Sequence, residues 1–462
     1  MAASLLSSLG RSAIGAAVAI GAFAVMASQT ASAQPLIRDA EIEDTLRAYT
    51  NPLLDAAGLR RDDVRILIVN EDNVNAFVAG GQNIFINTGL IMRADTPNEI
   101  IGVLAHETGH IAGGHLSRSR EAMGQSMGPM LISIGIGVLA IAAGAPDAGA
   151  ALIAGSQGFA MANFVRFTQT QESAADQAGA SFLERSGQSG RGLISFFDSQ
   201  IRPFEWQTRR APPWMMTHPY SSDRVEALRQ RVDAGSHHDA ADTPDNIRRF
   251  QFMQAKLIGF IRSEGQVLGR YPLRDTSAPA RYARAIAYYR NAKLDRARAE
   301  LDVLIAEDPR NPYFQELMGQ ILFENGRAAE SVPYHRRSIE LAPGQQPLLQ
   351  VNLARALVAS EGRAGTDEAL RLLADAVRKE PDNGFAWREM AAARYERGEE
   401  PLAELASAEA SFTVGDYSNA LSFAERARRS LPRNTVDYRR ADDIVNFAGN
   451  EVRERAERGR RS

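Results

Sequence analysis

The sequence predicts an α+β domain, mostly helical with a small sheet, followed by an all-α solenoid of stacked helix pairs. Three observations carry that reading. A strand–turn–strand pattern, "NAFVAGGQNIFINTGLI" (Asn75–Ile91), runs into an amphipathic helix that holds "HETGH" (His106–His110). In the second half one helical pattern follows another, and Pro309, Pro343 and Pro381 recur at a spacing of about 34–38 residues. The polar loop "DAGSHHDAADTPDN" (Asp233–Asn246) separates the two halves.

Bulk composition narrows the function. A chain of 462 residues, at roughly 100–200 per domain, allows two to four domains. The net charge is −3 and the basic residues, almost all arginine, are scattered, so nothing points to a nucleic-acid partner. There is no cysteine, which excludes disulfides, thiol catalysis and thiolate metal ligands.

Taken in order, the first 33 residues predict a cleaved secretory signal. Arg11 precedes an apolar run from Ala13 to Ala27, and Ala31-Ser32-Ala33 places small residues where a signal peptidase reads them. The mature chain would start at Gln34, with a bacterial periplasm as destination. An uncleaved anchor is the alternative, but the run is short for a span. The first domain then occupies residues 34–235. Residues 36–60 predict a helix with Ile42, Leu46, Leu53 and Leu54 inward, and Val64–Asn70 a short strand. Asn75–Ile91 predicts a hairpin about Gly80-Gly81, and Asn98–Leu116 a helix capped by Asn98.

Residues 127–163 then form two apolar arms around Pro146-Asp147, with no charge from Ala122 to Pro146. Each arm falls short of the roughly 20 residues of a span, so burial or peripheral membrane contact is favoured over spanning. His237 and His238, in a Gly/Ser/Asp loop, read as solvated. Residues 236–275 read as linker and bridging helix, the helix running from about Ile247 to Glu264.

Residues 276–462 repeat. "YYRNAKLDRARAELDVLIAEDP" and "LFENGRAAESVPYHRRSIELAP" share an aromatic residue, a short turn, an alanine, an apolar helix and a proline. That period is the tetratricopeptide signature, and "EGRAGTDEA" (Glu361–Ala369) holds the extra residues of one unit. A single unit cannot bury its apolar face, so the units must stack. The Arg-rich tail from Glu451 predicts a frayed helix end.

The chemistry begins at "HETGH". Residues i and i+4 share a helix face, so His106 and His110 can reach one metal ion, and Glu107 can take the proton of a water that the ion acidifies. In an otherwise apolar helix, a buried His-Glu-His set without a metal would be costly. The third ligand is not His115. A metzincin spacing demands histidine at position 116, which is Leu116 here, and His115 sits about 140° round a continuing helix from His110. "WMMT" (Trp214–Thr217), which could pass for a Met-turn, does not repair that spacing. His115 reads as a helix-end residue or an outer partner of the site. "TQESAADQAG" (Thr170–Gly179) supplies a better ligand in Glu172, with Asp176 one turn on to accept a hydrogen bond from a ligand histidine. Two histidines and one glutamate leave a fourth position open. "THPYSSDR" (Thr217–Arg224) adds His218 and Arg224, which could stabilise an oxyanion. Alternatively His218 could fill the fourth metal position and hold the enzyme off, or have no role at all.

Together "NAF…GG…I…TGL", "HETGH", "ESAAD" and "HPYSSDR", over roughly Asn75 to Arg224, resemble the HtpX-like and CAAX-prenyl-protease-like zinc metallopeptidases. With a signal and repeats, the whole chain resembles the BepA-like periplasmic branch, which is tied to outer-membrane protein assembly and quality control. The resemblance implies a gluzincin fold and one Zn2+ per chain on His106, His110 and Glu172, with Glu107 as general base and His218 and Arg224 acting near the substrate. It also implies that the strand Asn83-Ile84-Phe85-Ile86-Asn87 pairs with an extended substrate. The implied activity is endoproteolysis of misfolded or stalled envelope proteins, with the repeats binding substrate or the outer-membrane assembly machinery. A chaperone or scaffold with a latent protease site is the alternative. Members of the family that span the membrane have long spans that this sequence lacks, which leaves residues 127–163 unexplained.

Overall fold

The computed structural model describes residues 36–118, 167–201, 214, 218 and 221–461. The expected signal (1–33) and the apolar arms (127–163) lie outside the described residues. No described helix is long and apolar enough to cross a membrane.

The expected first helix starts later than its apolar pattern suggests. Leu36–Ile37 forms a short strand, β1, and Ala40–Ala57 the helix α1. Asp39 caps α1, its Oδ1 accepting from the N–H groups of Glu41 and Ile42 at 3.0 Å, and Gly58 ends it at φ 72°. Three further strands follow: β2 (Arg65–Val69), β3 (Ala76–Ala79) and β4 (Asn83–Asn87). The hairpin is β3–β4, but it closes at Asn87, and Thr88–Arg93 is a helix, α2.

The sheet order is β1-β2-β4-β3. β4 therefore lies inside the sheet. Asn83–Asn87 pairs in parallel with Arg65–Val69 on one side and antiparallel with Ala76–Ala79 on the other. Both of its ladders are taken, so the expectation that Asn83, Ile84, Phe85, Ile86 and Asn87 receive a substrate strand does not hold. The edge strands among the described residues are β1, only two residues long, and β3.

Helix α3 (Pro97–Ala112) carries the histidine motif. Its cap is Thr96, whose Oγ1 accepts from Glu99 N–H at 3.3 Å, and not the expected Asn98. Asn98 sits in the first turn and ties α3 to helix α5 (Arg191–Phe196) instead. Its Oδ1 accepts from Gly192 N–H at 2.7 Å and its Nδ2 donates to the Ser189 carbonyl at 3.0 Å. Helix α4 (residues 167–185) crosses α3 with almost nothing between the two backbones. A Cβ on Gly109 would meet the Ala175 carbonyl oxygen at 2.6 Å, and one on Gly179 would lie 3.1 Å from the backbone of Ala105 and His106. That approach brings the glutamate of α4 to the histidines of α3.

Helix α6 (Ser222–Asp233) closes the first domain. The expected bridging helix is α7 (Pro244–Ile261), capped by Thr243, and a short α8 (Glu264–Arg270) follows. Ten helices then stack as antiparallel pairs: α9 (Ala278–Arg290) with α10 (Leu294–Glu307), α11 (Pro312–Glu324) with α12 (Ala328–Leu341), and α13 (Pro347–Glu361) with α14 (Thr366–Lys379). α15 (Gly384–Glu396) with α16 (Glu400–Thr413) and α17 (Tyr417–Ser430) with α18 (Val436–Arg461) complete them. The tail expected to fray from Glu451 is continuous α18 helix to Arg461. The extra residues in Glu361–Ala369 form a 3-10 turn, Gly362–Gly365, ahead of α14.

The two halves share one apolar core, which includes Leu46 and Leu104 from the first domain, Met253 and Leu257 from α7, and Phe314 and Leu322 from the repeats. A polar cluster lies beside it. Lys256 Nζ is 2.9 Å from Asp39 Oδ2, 3.3 Å from Glu41 Oε2 and 3.4 Å from Glu316 Oε2. Tyr282 donates to Glu41 at 2.8 Å and Asn352 to Glu316 at 3.3 Å. Burial, helped by Asp39 and Glu41 and opposed by Lys256, pushes the Glu316 carboxyl up to about 7.

Two predictions follow from this packing. Gly109→Ala gains about 1 kcal/mol of helix propensity but forces α3 and α4 apart at a cost of about 1–3 kcal/mol, so denaturant unfolding should show a net loss. Glu316 binds its proton more tightly in the folded chain. Its contribution to stability is present below its ordinary value of 4.5 and is lost as pH rises through about 7. Thermal midpoints should fall with rising pH across that window, and Glu316→Gln should flatten the slope.

Candidate metal centre

The histidines lie one turn apart on the face of α3 that meets α4. His106 Nε2 and His110 Nε2 are 3.1 Å apart. Glu172, on α4, places Oε2 at 3.4 Å from His106 Nε2 and Oε1 at 3.3 Å from His110 Nε2. His218 enters from the segment before α6, its Nδ1 3.0 Å from Glu172 Oε2 and 3.2 Å from His106 Nε2. The structure thus brings together His106, His110, Glu172 and His218, with one ligand atom of each within 4.8 Å of all the others.

These distances test the fit of an ion. Four ligands at about 2.0–2.1 Å from one tetrahedral zinc lie roughly 3.3–3.4 Å from each other. The five separations above run from 3.0 to 3.4 Å. The donor set, three imidazole nitrogens and one carboxylate, suits zinc. The electrostatics agree. Burial works against a charged His106, yet Asp176 and Glu172 outweigh it and raise the imidazole to about 10. Burial opposes ionisation of Glu172 as well, and the three histidines around it hold its carboxyl far below the usual range. Positive charge is favoured on the side of His106, whereas burial and the neighbouring His106 lower the His110 imidazole.

Asp176 stands behind His106, its Oδ1 2.8 Å from His106 Nδ1. Arg224, in the first turn of α6, holds Asp176 in turn. Its Nε is 2.8 Å from Asp176 Oδ2 and its Nη2 is 3.0 Å from Oδ1, with Glu172 Oε2 3.3 Å from the same Nη2. Arg224 was expected to act near the substrate. Its guanidinium is instead turned to the carboxylates behind the metal pocket, because Ser221 caps α6 and starts the helix there. Glu107 is fully buried, and neither carboxylate oxygen has a hydrogen-bond partner among the described residues. His218 Nε2 lies 3.4 Å from Oε1.

His115 does not lie about 140° round a continuing helix from His110. Its Nδ1 is 3.0 Å from His110 Nδ1, because α3 ends at Ala112 and the chain turns back there. His237 and His238 lie apart from the cluster, beside Glu184 and Asp239. Two contributors escaped the sequence. The Trp214 ring stacks on His218 with centroids 4.3 Å apart and 27° between planes. The Ala76 carbonyl of β3 lies 3.2 Å from His218 Nε2. An aromatic residue four positions before the histidine was the available sign of the first. A backbone carbonyl leaves no sign at all.

Residues 38–232 match peptidase family M48. The matched segment contains Glu107 and all four residues of the ligand cluster, so the similarity and the site fall on the same stretch. Over most of its length it is similar to the beta-barrel assembly-enhancing protease of Yersinia pestis, at 26% identity over 92% of this chain and 86% of that one. The protein of the same name from Escherichia coli K12 is 24% identical over 90% of this chain and 84% of its own. The metalloprotease LoiP of the same organism is 29% identical over 35% of this chain and 60% of its own.

Removing the cation behind the pocket has a measurable cost. In metal-free protein, Arg224→Met leaves Asp176 and Glu172 buried with less compensation, and denaturant unfolding should show a loss of about 3–5 kcal/mol.

Proposed function

We propose that this chain is a zinc-dependent endopeptidase of the bacterial periplasm that degrades misfolded or stalled envelope proteins, with the repeats recruiting substrate or an assembly machine. The observation that carries the reading is the convergence of His106, His110, Glu172 and His218 beside the buried carboxylate of Glu107, next to the edge strand β3. The similarity to beta-barrel assembly-enhancing proteases over most of both chains supports the envelope role.

His106, His110 and Glu172 would hold the ion. A zinc there supplies Lewis acidity, polarising the scissile carbonyl and acidifying water. Glu107 takes the proton of the attacking water and delivers it to the leaving amine. Asp176, gripped by Arg224, keeps His106 in the tautomer that presents Nε2 to the pocket. An extended substrate pairs with β3. The Asn75 carbonyl accepts from Asn87 N–H at 3.0 Å, so residues 75, 77 and 79 face β4 while Ala76 and Val78 turn their backbone groups outward.

His218 stands in the way of both events. Its Nδ1, 3.0 Å from Glu172 Oε2, would hold a fourth position on the ion, and its Nε2 is within hydrogen-bond reach of the outward Ala76 carbonyl. This is a closed site, which also favours the second reading, a chaperone or scaffold with a latent protease. His218 must leave for water and a substrate strand to enter. Casein cleavage should disappear on chelation and in Glu107→Gln, and persistence in either case removes the assignment. His218→Ala should raise basal cleavage about tenfold if it frees the fourth position (on the order of a 1.4 kcal/mol difference), whereas a fall would make His218 an oxyanion donor. Full rescue of a deletion strain's envelope defects by Glu107→Gln would favour the scaffold.

A further inference from the structure

The third histidine of "HETGHIAGGH" is used by none of these steps, yet the chain is shaped around it. α3 ends at Ala112. The Gly113 N–H donates to the Gly109 carbonyl at 2.9 Å, the Gly114 N–H to the Ile111 carbonyl at 3.0 Å, and Gly114 turns the chain at φ 61°. Only glycine adopts that conformation without strain. The turn swings the His115 ring against the outer edge of His110, with centroids 5.0 Å apart and planes at 83°. Gly113 makes the room. Its φ of −75° and ψ of −11° suit any residue, but a Cβ there would run into the His115 ring. On the other side, Gln171, next to Glu172, donates to the His115 carbonyl at 3.3 Å. The His115 side chain is buried.

His110 directs Nε2 into the ligand cluster, so its proton sits on Nδ1. That N–H is nearly enclosed and needs an acceptor. The His115 Nδ1, 3.0 Å away, is in place to be one. We propose that His115 is the positioning residue of His110, accepting its Nδ1–H and so fixing its tautomer and ring plane for the metal. The inference rests on the metal centre described above. The two ligand histidines are then backed by unlike partners: an anionic carboxylate behind His106 and a neutral imidazole behind His110. Outer partners of this kind govern affinity by about 10–100-fold.

The test measures zinc affinity of the full chain by competition with a chromophoric chelator. His115→Leu, which removes the acceptor, should weaken zinc binding by about 10–100-fold. His115→Gln, which keeps one, should stay close to wild type. Gly113→Ala should weaken binding like His115→Leu, because it displaces the ring, but should add no loss to a chain already carrying His115→Leu. Equal affinity in wild type and His115→Leu overturns the proposal, and so does an equal loss in His115→Leu and His115→Gln. If His115→Leu does not fold, the Gly113→Ala and His115→Gln pair decides alone, a loss in the first and not the second supporting the proposal and any other result overturning it. A wild-type chain that takes up no zinc overturns the metal centre itself, a distinct result.

Discussion

Two backbones meet with almost no side chain between them where α3 crosses α4, and the site depends on that contact. At Gly109 the Ala175 carbonyl occupies the space a Cβ would need, and Gly179 lies against Ala105 and His106. Helices with ordinary side chains at the crossing stand 8–10 Å apart or more, and every side chain added between them widens the gap. Asp176 has one methylene and Glu172 two. At a wider crossing neither could reach His106. The small residues of "ESAADQAG" and the glycine of "HETGH" are thus part of the ligand geometry, although none of them touches the pocket.

From that crossing the arrangement extends outward in layers. Asp176 is itself held by Arg224, and Arg224 is placed by the Ser221 cap that starts α6. His218 lies just ahead of the same cap and stacks on Trp214, which packs edge-on to Phe196 at the end of α5. The ligand set therefore draws on α3, α4 and the entry to α6, three pieces far apart in sequence. Its fourth member is also the one that touches the sheet edge. Any movement of His218 away from the cluster would also break its contact with the Ala76 carbonyl.

Much of this was legible in residue spacing. The i, i+4 pairs in "HETGH" and "ESAAD" say which groups share a helix face, and the repeat is local enough that each unit announces itself. What failed was whatever depended on a third element. The hairpin pattern shows that β3 and β4 pair, but not that β2 joins β4 from the far side and buries it in the sheet. The angle of about 140° between His110 and His115 assumes a helix that runs past Ala112, where Gly113-Gly114 ends it. Thr96 and Asn98 are both good capping residues two positions apart, and only the packing on α5 decides that Asn98 faces Gly192. Arg224 follows a histidine in a polar turn, and nothing in that turn shows which way it faces.

The polar loop at residues 233–246 looks from its composition like a place where the chain could be divided. The shared core says otherwise. Phe252 of α7 packs edge-on to Tyr282 and Phe314 of the repeats, while Met253 and Leu257 share a core with Leu46 and Leu104 of the first domain. On the opposite flank Arg38, directly after β1, pairs with Glu380 beyond α14, and Arg65 of β2 with Asp382. A nick in that loop would therefore cut the covalent chain without parting the molecule. The fragments would remain clasped at both ends of the solenoid's first three helix pairs, and a gel run under denaturing conditions would report two pieces where a sizing column reports one.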